Sequence, residues 1–488
     1  RISLSLTASY APSWGLWEGI RELIQNWHDG LLAAMPEQSS AVSPGAPLEF
    51  VKSPSGDDAA ERQVVKRGGL EVGSIEYSPQ ERRIALINHQ VGLGREVLLL
   101  GYSKKAQHAD VIGSFGEGLK VGAVALLRKG IRLRMLTRAE SWSFDLLVDP
   151  AFGERVLTVG VTARPEVLDA DAEGLPVCLQ CLSASDTVTV VEGLEPREWA
   201  LFARRFLFLR PPRDFVRTEV GKLLLDTQMS GDFFVKGVWI NSDPDLVAGV
   251  DLSEIRLDRD RAAVLKKSDL QHQVSSMWVR AVHHQPELTA RYYELLADER
   301  QSSDTAMADL YCDEDVAEAM AKVFRRRHGV AIPVSLKDSN SDKAQQLRGK
   351  LSCSTIVCSQ ALLAVLKKGG VRCDLDDLLH ERSLQARRFV AMADLSEDEA
   401  RCLASACRLV ELADASASGL LLSVDIFESV ADWTLESAVL RAEAFPTTGR
   451  LEVDRRALAP TMLVHKLFPA SRCLAEARPG SACHCRES

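Results

Sequence analysis

Gly113-Ser114-Phe115-Gly116-Glu117-Gly118-Leu119-Lys120-Val121-Gly122 runs without a break into an apolar stretch with helical spacing, residues 119–129. Glycines leave backbone N–H groups free to point at an anion, and the amino end of the helix adds its dipole, so the segment has the form of a phosphate cradle. It is not a dinucleotide fingerprint. The preceding residues, 101–110, are polar and Lys-rich where such a fingerprint needs a strand. The Gly-Lys-Ser/Thr ending of a P-loop is also missing.

Upstream, residues 14–32 carry Leu16, Ile20, Leu23, Ile24 and Trp27 at helical spacing with Ser13 available as a cap, which predicts an amphipathic helix. Its other face bears Glu22, Asn26 and Asp29, spaced four and then three apart and so aligned. A carboxylate and an amide one turn apart suit phosphoryl transfer. Glu22 can take a proton from an attacking water, and the Asn26 carbonyl oxygen can ligate a Mg²⁺ held by a triphosphate. Asp29 is placed to orient its neighbours or to read a nucleoside.

Between helix and cradle, Asn88-His89-Gln90-Val91-Gly92-Leu93 follows a strand-like run at 83–88. A side-chain carbonyl fixed at a strand end can accept from an exocyclic amine, and a nearby glycine lets a flat ring approach the backbone. Downstream, Asp186-Thr187-Val188-Thr189-Val190-Val191-Glu192 alternates as a strand with hydroxyls on one face.

In this order the four elements resemble the ATP-binding domain of the GHKL superfamily, which includes DNA gyrase B subunits, ninety-kilodalton heat-shock chaperones, histidine kinases, MutL-type mismatch-repair ATPases and microrchidia proteins. The resemblance covers residues 1–210. It implies a Bergerat-type α/β sandwich in which Glu22 activates water, Asn26 binds Mg²⁺ and Thr187 contacts the adenine side. The stretches LLLGYSKK (98–105) and IGSFGEGLKVG (112–122) are similar to the family's lid and glycine box. They imply that Gly113, Ser114, Phe115, Gly116, Glu117, Gly118, Leu119 and Lys120 cradle the phosphates. One box departs from the pattern: where the family's box reads D-x-G-x-G-M, the adenine-reading Asp is Asn88 and the first Gly is Gln90, while Gly92 is retained and Leu93 stands at the Met position. Asn88 still offers one acceptor, in a bond weaker by about 1 kcal/mol than a charged one.

The expected architecture is α/β (α+β) throughout. An ATP-binding domain at 1–210 precedes a transducer-like α/β domain with helices at 211–329, a C-terminal α/β domain at 330–470 and a polar tail at 471–488. In relatives of this kind the second domain supplies a cation to the γ-phosphate, and Lys236, Arg259 and Arg261 are the candidates, against the plainer reading of a solvated ion-paired turn. In finer detail, residues 36–60 read as a loop or insertion, 233–240 as one strand, 222–226 and 246–250 as two more, and 359–368, 374–387 and 396–413 as helices.

Composition narrows the partners. The chain has 488 residues with 59 Lys+Arg against 68 Asp+Glu and a net charge of −9, so nucleic acid is not indicated by electrostatics. No apolar run reaches the ~18 residues of a membrane span. Eleven cysteines in a chain with ample core are expected to be reduced thiols, as in an intracellular protein, cytoplasmic or nuclear. Cys178-x-x-Cys181 lacks a second pair at zinc spacing, and His465 lacks the Glu and second His of a zinc-peptidase helix. The expected ligands are ATP and Mg²⁺. The resemblance further implies a homodimer and a protein client that the sequence does not identify. The implied role is nucleotide-driven conformational change of a chaperone or remodelling kind, with a non-hydrolysing nucleotide-sensing scaffold as the alternative.

Overall fold

The computed structural model describes residues 1–33, 46–53, 60–99, 117–138, 140–163, 183, 185–300, 302–351, 353–385, 387–413, 423–429, 442–445 and 450–458. Helices and mainly antiparallel sheets make an α+β chain that divides into two compact units, Arg1–Gln273 and Val274–Ser488.

In the first unit the elements run β1 (Ile2–Thr7), α1 (Leu16–Ala33), β2 (Leu48–Ser53), β3 (Glu61–Arg67), β4 (Leu70–Ser78), β5 (Arg83–Asn88), α2 (Gly118–Arg128), β6 (Arg132–Thr137), β7 (Glu140–Val148), β8 (Arg155–Ala163), β9 (Thr187–Glu192) and α3 (Pro196–Arg204). Nine strands form one antiparallel sheet in the order β1-β8-β7-β6-β9-β5-β4-β3-β2. Helices α1 and α2 cover it with their apolar stripes. Ile20, Leu23, Ile24, Trp27 and Leu31 of α1 and Ala123, Val124 and Leu126 of α2 join Leu133, Trp142, Phe144, Leu157 and Val191 in a single buried core. The two helices touch closely because residue 19 is glycine; a Cβ there would lie 2.6 Å from the Leu126 Cγ.

One expectation is corrected at this edge of the sheet. Residues 36–60 are not all loop, since Leu48–Ser53 pairs with β3 in regular antiparallel register. Neither β2 (LEFVKS) nor β3 (ERQVVKR) shows strict alternation of apolar and polar residues, so the period-two signal of a strand is missing from both.

The exit of α3 fastens a second sheet. β10 (Phe215–Arg217), β11 (Gly221–Leu224), β12 (Asp232–Val235), β13 (Val238–Ser242) and β14 (Gly249–Leu252) run in the order β10-β11-β14-β12-β13. The Arg205 guanidinium lies between the Trp17 and Trp239 rings, 4.6 and 4.0 Å from their centroids, a favourable use of its delocalised charge. Residues 233–240 form a hairpin rather than one strand. Lys236 and Gly237 both have positive φ, 50° and 77°, and turn the chain there. After β14 the chain makes a tight turn: Leu257 bridges Val264, the Ala262 N–H donates to Asp258 Oδ1 at 2.7 Å, and Arg261 has φ 52°.

The second unit is mostly helical. The helix α4 (Lys267–His284) runs into it, followed by α5 (Thr289–Ala297), α6 (Ala308–Tyr311) and α7 (Glu314–His328). Two short parallel strands, β15 (Ile332–Val334) and β16 (Thr355–Val357), flank α8 (Leu336–Ser339) and α9 (Asp342–Leu351). The expected helices at 359–368, 374–387 and 396–413 form as α10 (Gln360–Lys368), α11 (Leu375–Gln385) and α12 (Glu397–Ala413). Four strands, β17 (Arg387–Val390), β18 (Ser423–Ser429), β19 (Ala442–Phe445) and β20 (Arg450–Asp454), close a mixed sheet. Among the described residues no helix is long and apolar enough to cross a membrane.

Candidate functional site

Glu22 stands on the buried side of α1, 5% exposed, where α1 meets the amino end of α2. A Cβ on Gly118 would sit 2.1 Å from Glu22 Oε2, so glycine at the first position of α2 leaves the carboxylate room where it stands. Its other oxygen, Oε1, accepts from the neighbouring Arg21 through Nη2 at 3.2 Å and Nε at 3.4 Å. Arg261 approaches the same oxygen at 3.9 Å and donates to Gln25 Oε1 at 2.8 Å.

The turn after β14 is therefore docked on this corner by each of three consecutive residues. Arg259 reaches Glu117 Oε2 at 3.3 Å. The Asp260 carbonyl accepts from Arg21 at 3.1 Å, and its carboxylate accepts from the Trp14 indole at 3.2 Å. Of the three cations singled out in the sequence, Arg259 and Arg261 come to the helix corner. Lys236 lies instead at the β12/β13 hairpin turn.

A second cluster forms where β5 ends. The Asn88 amide is buried and donates from Nδ2 to the Trp27 carbonyl at 2.9 Å. That bond fixes the sense of the amide and leaves Oδ1 as the acceptor. Gly30 lies beneath it, and a Cβ there would come within 2.9 Å of Nδ2. The Trp27 indole in turn donates to the Ile87 carbonyl at 2.9 Å, so α1 and the end of β5 are stitched in both directions.

Residues 88–93 make a turn held from β9 and β6. Gln90 has φ 57° and its N–H donates to Asp186 Oδ1 at 2.9 Å. Thr187, level with Asn88 in the sheet register, donates its hydroxyl to the Val91 carbonyl. Thr137, level with Thr187, accepts the Leu93 N–H at 2.7 Å and lies 2.9 Å from the Thr187 hydroxyl. A hydroxyl has one proton, so with Thr187 donating to Val91 it must accept from Thr137. Thr187 thus shapes the turn that carries Gly92 and Leu93.

Asp186 and Thr137 are not among the site residues that the sequence singles out. Thr137 is fully buried at the last position of β6, where a threonine is ordinary and no periodicity marks it.

The glycine-rich segment falls in two parts. Gly113, Ser114, Phe115 and Gly116 lie outside the described residues. Glu117, Gly118, Leu119 and Lys120 open α2. Lys120 is fully buried, with Nζ donating to the carbonyls of Val97 at 3.1 Å and Leu99 at 2.5 Å. Burial pushes its ammonium below the ordinary lysine value, against the opposing pull of Glu117. Here, then, Lys120 pins the short 3₁₀ turn Arg95–Leu98 to α2. Asp29 is wholly buried and Asn26 half-buried on the α1 face that also bears Glu22.

The fold accordingly gathers Glu22, Gly118, Glu117, Arg259 and Arg261 at one corner, and Asn88, Gly92, Leu93 and Thr187 around one turn. Helix α1 joins the two places. No protein-family profile matches the chain, and no curated protein matches it.

Proposed function

We propose that the Arg1–Gln273 unit binds ATP with Mg²⁺ and hydrolyses it, as the GHKL resemblance implies, and that the nucleotide state moves the turn after β14. The observation that carries this reading is the meeting of a buried glutamate with the glycine-opened amino end of a helix, under two arginines delivered from a second sheet. Such a corner suits a terminal phosphate, since helix N–H groups and guanidinium groups both favour anionic oxygens. The distance suits a nucleotide as well. From Glu22 to Gly30, the glycine beneath Asn88, eight residues of α1 rise about 12 Å, comparable with the reach from the base to the last phosphate of an extended nucleoside triphosphate.

The residues present fit both ends of that ligand. Asn88 Oδ1 would accept from the exocyclic amine of the base, with Gly92 and Leu93 on the turn alongside. Glu117, Gly118 and Leu119 would offer the first N–H groups of α2, preceded by Gly113, Ser114, Phe115 and Gly116 as the resemblance implies. The Asn26 carbonyl would hold Mg²⁺, whose charge withdraws electrons from the phosphoryl group undergoing attack. Glu22 would take the proton of the attacking water. Arg259 and Arg261 would exchange their carboxylate and amide partners for phosphate oxygen, which passes the nucleotide state to the second sheet. A homodimer and a protein client belong to the same proposal.

A second reading, nucleotide sensing without turnover, is favoured by one contact. Glu22 Oε1 is already bonded to Arg21 and approached by Arg261. That oxygen faces guanidinium partners rather than standing open to an attacking water.

Calorimetric titration of Mg-ATP into the Glu22→Gln chain, beside single-turnover phosphate release from the unaltered chain, tests both. Saturable binding with release that Glu22→Gln lowers by at least about a hundredfold supports hydrolysis. Binding without release supports sensing, and no binding at millimolar ATP removes both.

A further inference from the structure

His89 follows the last residue of β5 and begins the turn at 88–93, with its own N–H on the Val72 carbonyl at 3.0 Å. Its ring stands between two carboxylates from different elements. Nδ1 is 3.2 Å from Asp186 Oδ2, just before β9, and Nε2 is 3.6 Å from Glu71 Oε1 on β4. These are the charged groups that face the ring among the described residues. Asp186 is the hub of the turn: it also accepts the N–H groups of Gln90, at 2.9 Å, and Ser183, at 3.0 Å.

A neutral imidazole has one N–H and can serve one of these carboxylates, whereas the imidazolium has two and can serve both. The turn needs such tethers. Gln90 holds a left-handed backbone conformation at φ 57°, which is strained for a residue other than glycine.

We propose that His89 is a proton-operated clamp on the turn at residues 88–93. Protonated, it ties Glu71 to Asp186 and holds the turn closed; neutral, it lets Glu71 go and the turn loosens. The consequence for affinity rests on the nucleotide reading above, in which this turn borders the base.

The electrostatics agree with the geometry. The hydrogen bond to Asp186 raises the His89 pKa, burial opposes it, and the charges of Asp186 and Glu71 add to the rise. Burial would raise the Asp186 carboxyl, but the bonds from His89, Gln90 and Ser183 outweigh it and hold the group below its ordinary value. With the folded pKa of His89 raised, the clamp is complete below the ordinary histidine value and is lost as pH rises through the raised one.

The test is a calorimetric titration of Mg-ADP into the full chain from pH 6 to pH 8.5, for the unaltered protein, His89→Gln and Glu71→Gln. The ratio of the affinities of the unaltered chain and His89→Gln cancels the ionisation of the nucleotide itself. That ratio is expected to fall about two- to fivefold as pH rises, the worth of one half-exposed ion pair, with an earlier midpoint in Glu71→Gln. Parallel pH profiles for the unaltered chain and His89→Gln overturn the clamp. If no variant binds Mg-ADP at any pH, the nucleotide reading fails, and amide exchange at Gln90 and Leu93 decides the clamp by itself. Protection, corrected for intrinsic exchange, that declines with pH in the unaltered chain but not in His89→Gln retains it, and identical protection overturns it.

Discussion

The Asn88 amide and the Trp27 main-chain carbonyl are donor and acceptor at 2.9 Å, a bond that needs the amide N–H and that an aspartate at this position would lack. A carboxylate at this position would set oxygen against the Trp27 carbonyl oxygen, buried, with no proton between them. Asn88→Asp is therefore expected to lower stability by about 2 kcal/mol at neutral pH, from one lost bond and a buried carboxylate oxygen facing a carbonyl oxygen. The deficit should shrink in acid, because a protonated carboxyl can donate again. Urea denaturation at pH 7 and pH 4.5 measures it. An Asn88→Asp chain as stable as the parent at pH 7 would mean that the side chain does not depend on Trp27.

Arg261 makes its contacts through a guanidinium that is largely covered, bonding Gln25 and facing Glu22. Arg261→Ala should cost the resting fold only about 1 kcal/mol, as one partly buried charge-assisted bond is lost. The effect on phosphate release should be larger, tenfold or so, with Mg-ADP affinity changed less, because the side chain is assigned to the terminal phosphate. Equal losses in release and in ADP affinity would place Arg261 with the general scaffold instead.

Gly118 separates a local preference from a packing requirement. Alanine in a helix is favoured over glycine by about 1 kcal/mol, and at the exposed Gly349 of α9, where an added Cβ meets nothing, that gain is expected in full. At Gly118 the Cβ meets the tip of Glu22 at 2.1 Å. The carboxylate can swing aside, so Gly118→Ala should leave the melting temperature nearly unchanged while removing most phosphate release. Gly349→Ala should raise the melting temperature by a few degrees. Thermal melts of the two variants, read beside their release rates, distinguish the effects.

What the sequence discloses follows the range over which each signal acts. Helix α1 is legible because Ile20, Leu23, Ile24 and Trp27 recur at its own period, and the same face logic singles out Glu22 and Asn26. Strand β1 carries the period-two signal, with Ile2, Leu4 and Leu6 alternating with Ser3, Ser5 and Thr7, whereas β2 and β3 lack it, and the hairpin at Lys236 and Gly237 is hidden in an apolar run. Long-range meetings leave the faintest trace. Arg261 lies 236 positions from Gln25, and no spacing rule reaches so far; only the resemblance to a two-domain family puts it among the candidates. The tether from Thr137 to Leu93 has no sequence mark at all, since its meaning depends on which strand lies beside β9.

The thiols give a test that does not depend on nucleotide. Cys312 and Cys358 are buried, and burial pushes both up to about 11, with the charge of Asp313 helping at Cys312 and that of Cys373 at Cys358. At a given pH below that range, a thiol raised by about two units holds roughly a hundredth of the thiolate of an ordinary one, and thiolate is the reactive form. Among the described cysteines, native Cys312 and Cys358, both buried, should be alkylated by iodoacetamide at pH 8 far more slowly than the half-buried Cys402. In denaturant all three should react alike, because the difference belongs to the fold. Peptide mass spectrometry over a time course reads both conditions. Rapid native modification of Cys312 would show that the site where its thiol meets the Tyr292 hydroxyl, at 3.6 Å, opens far more often than its burial implies.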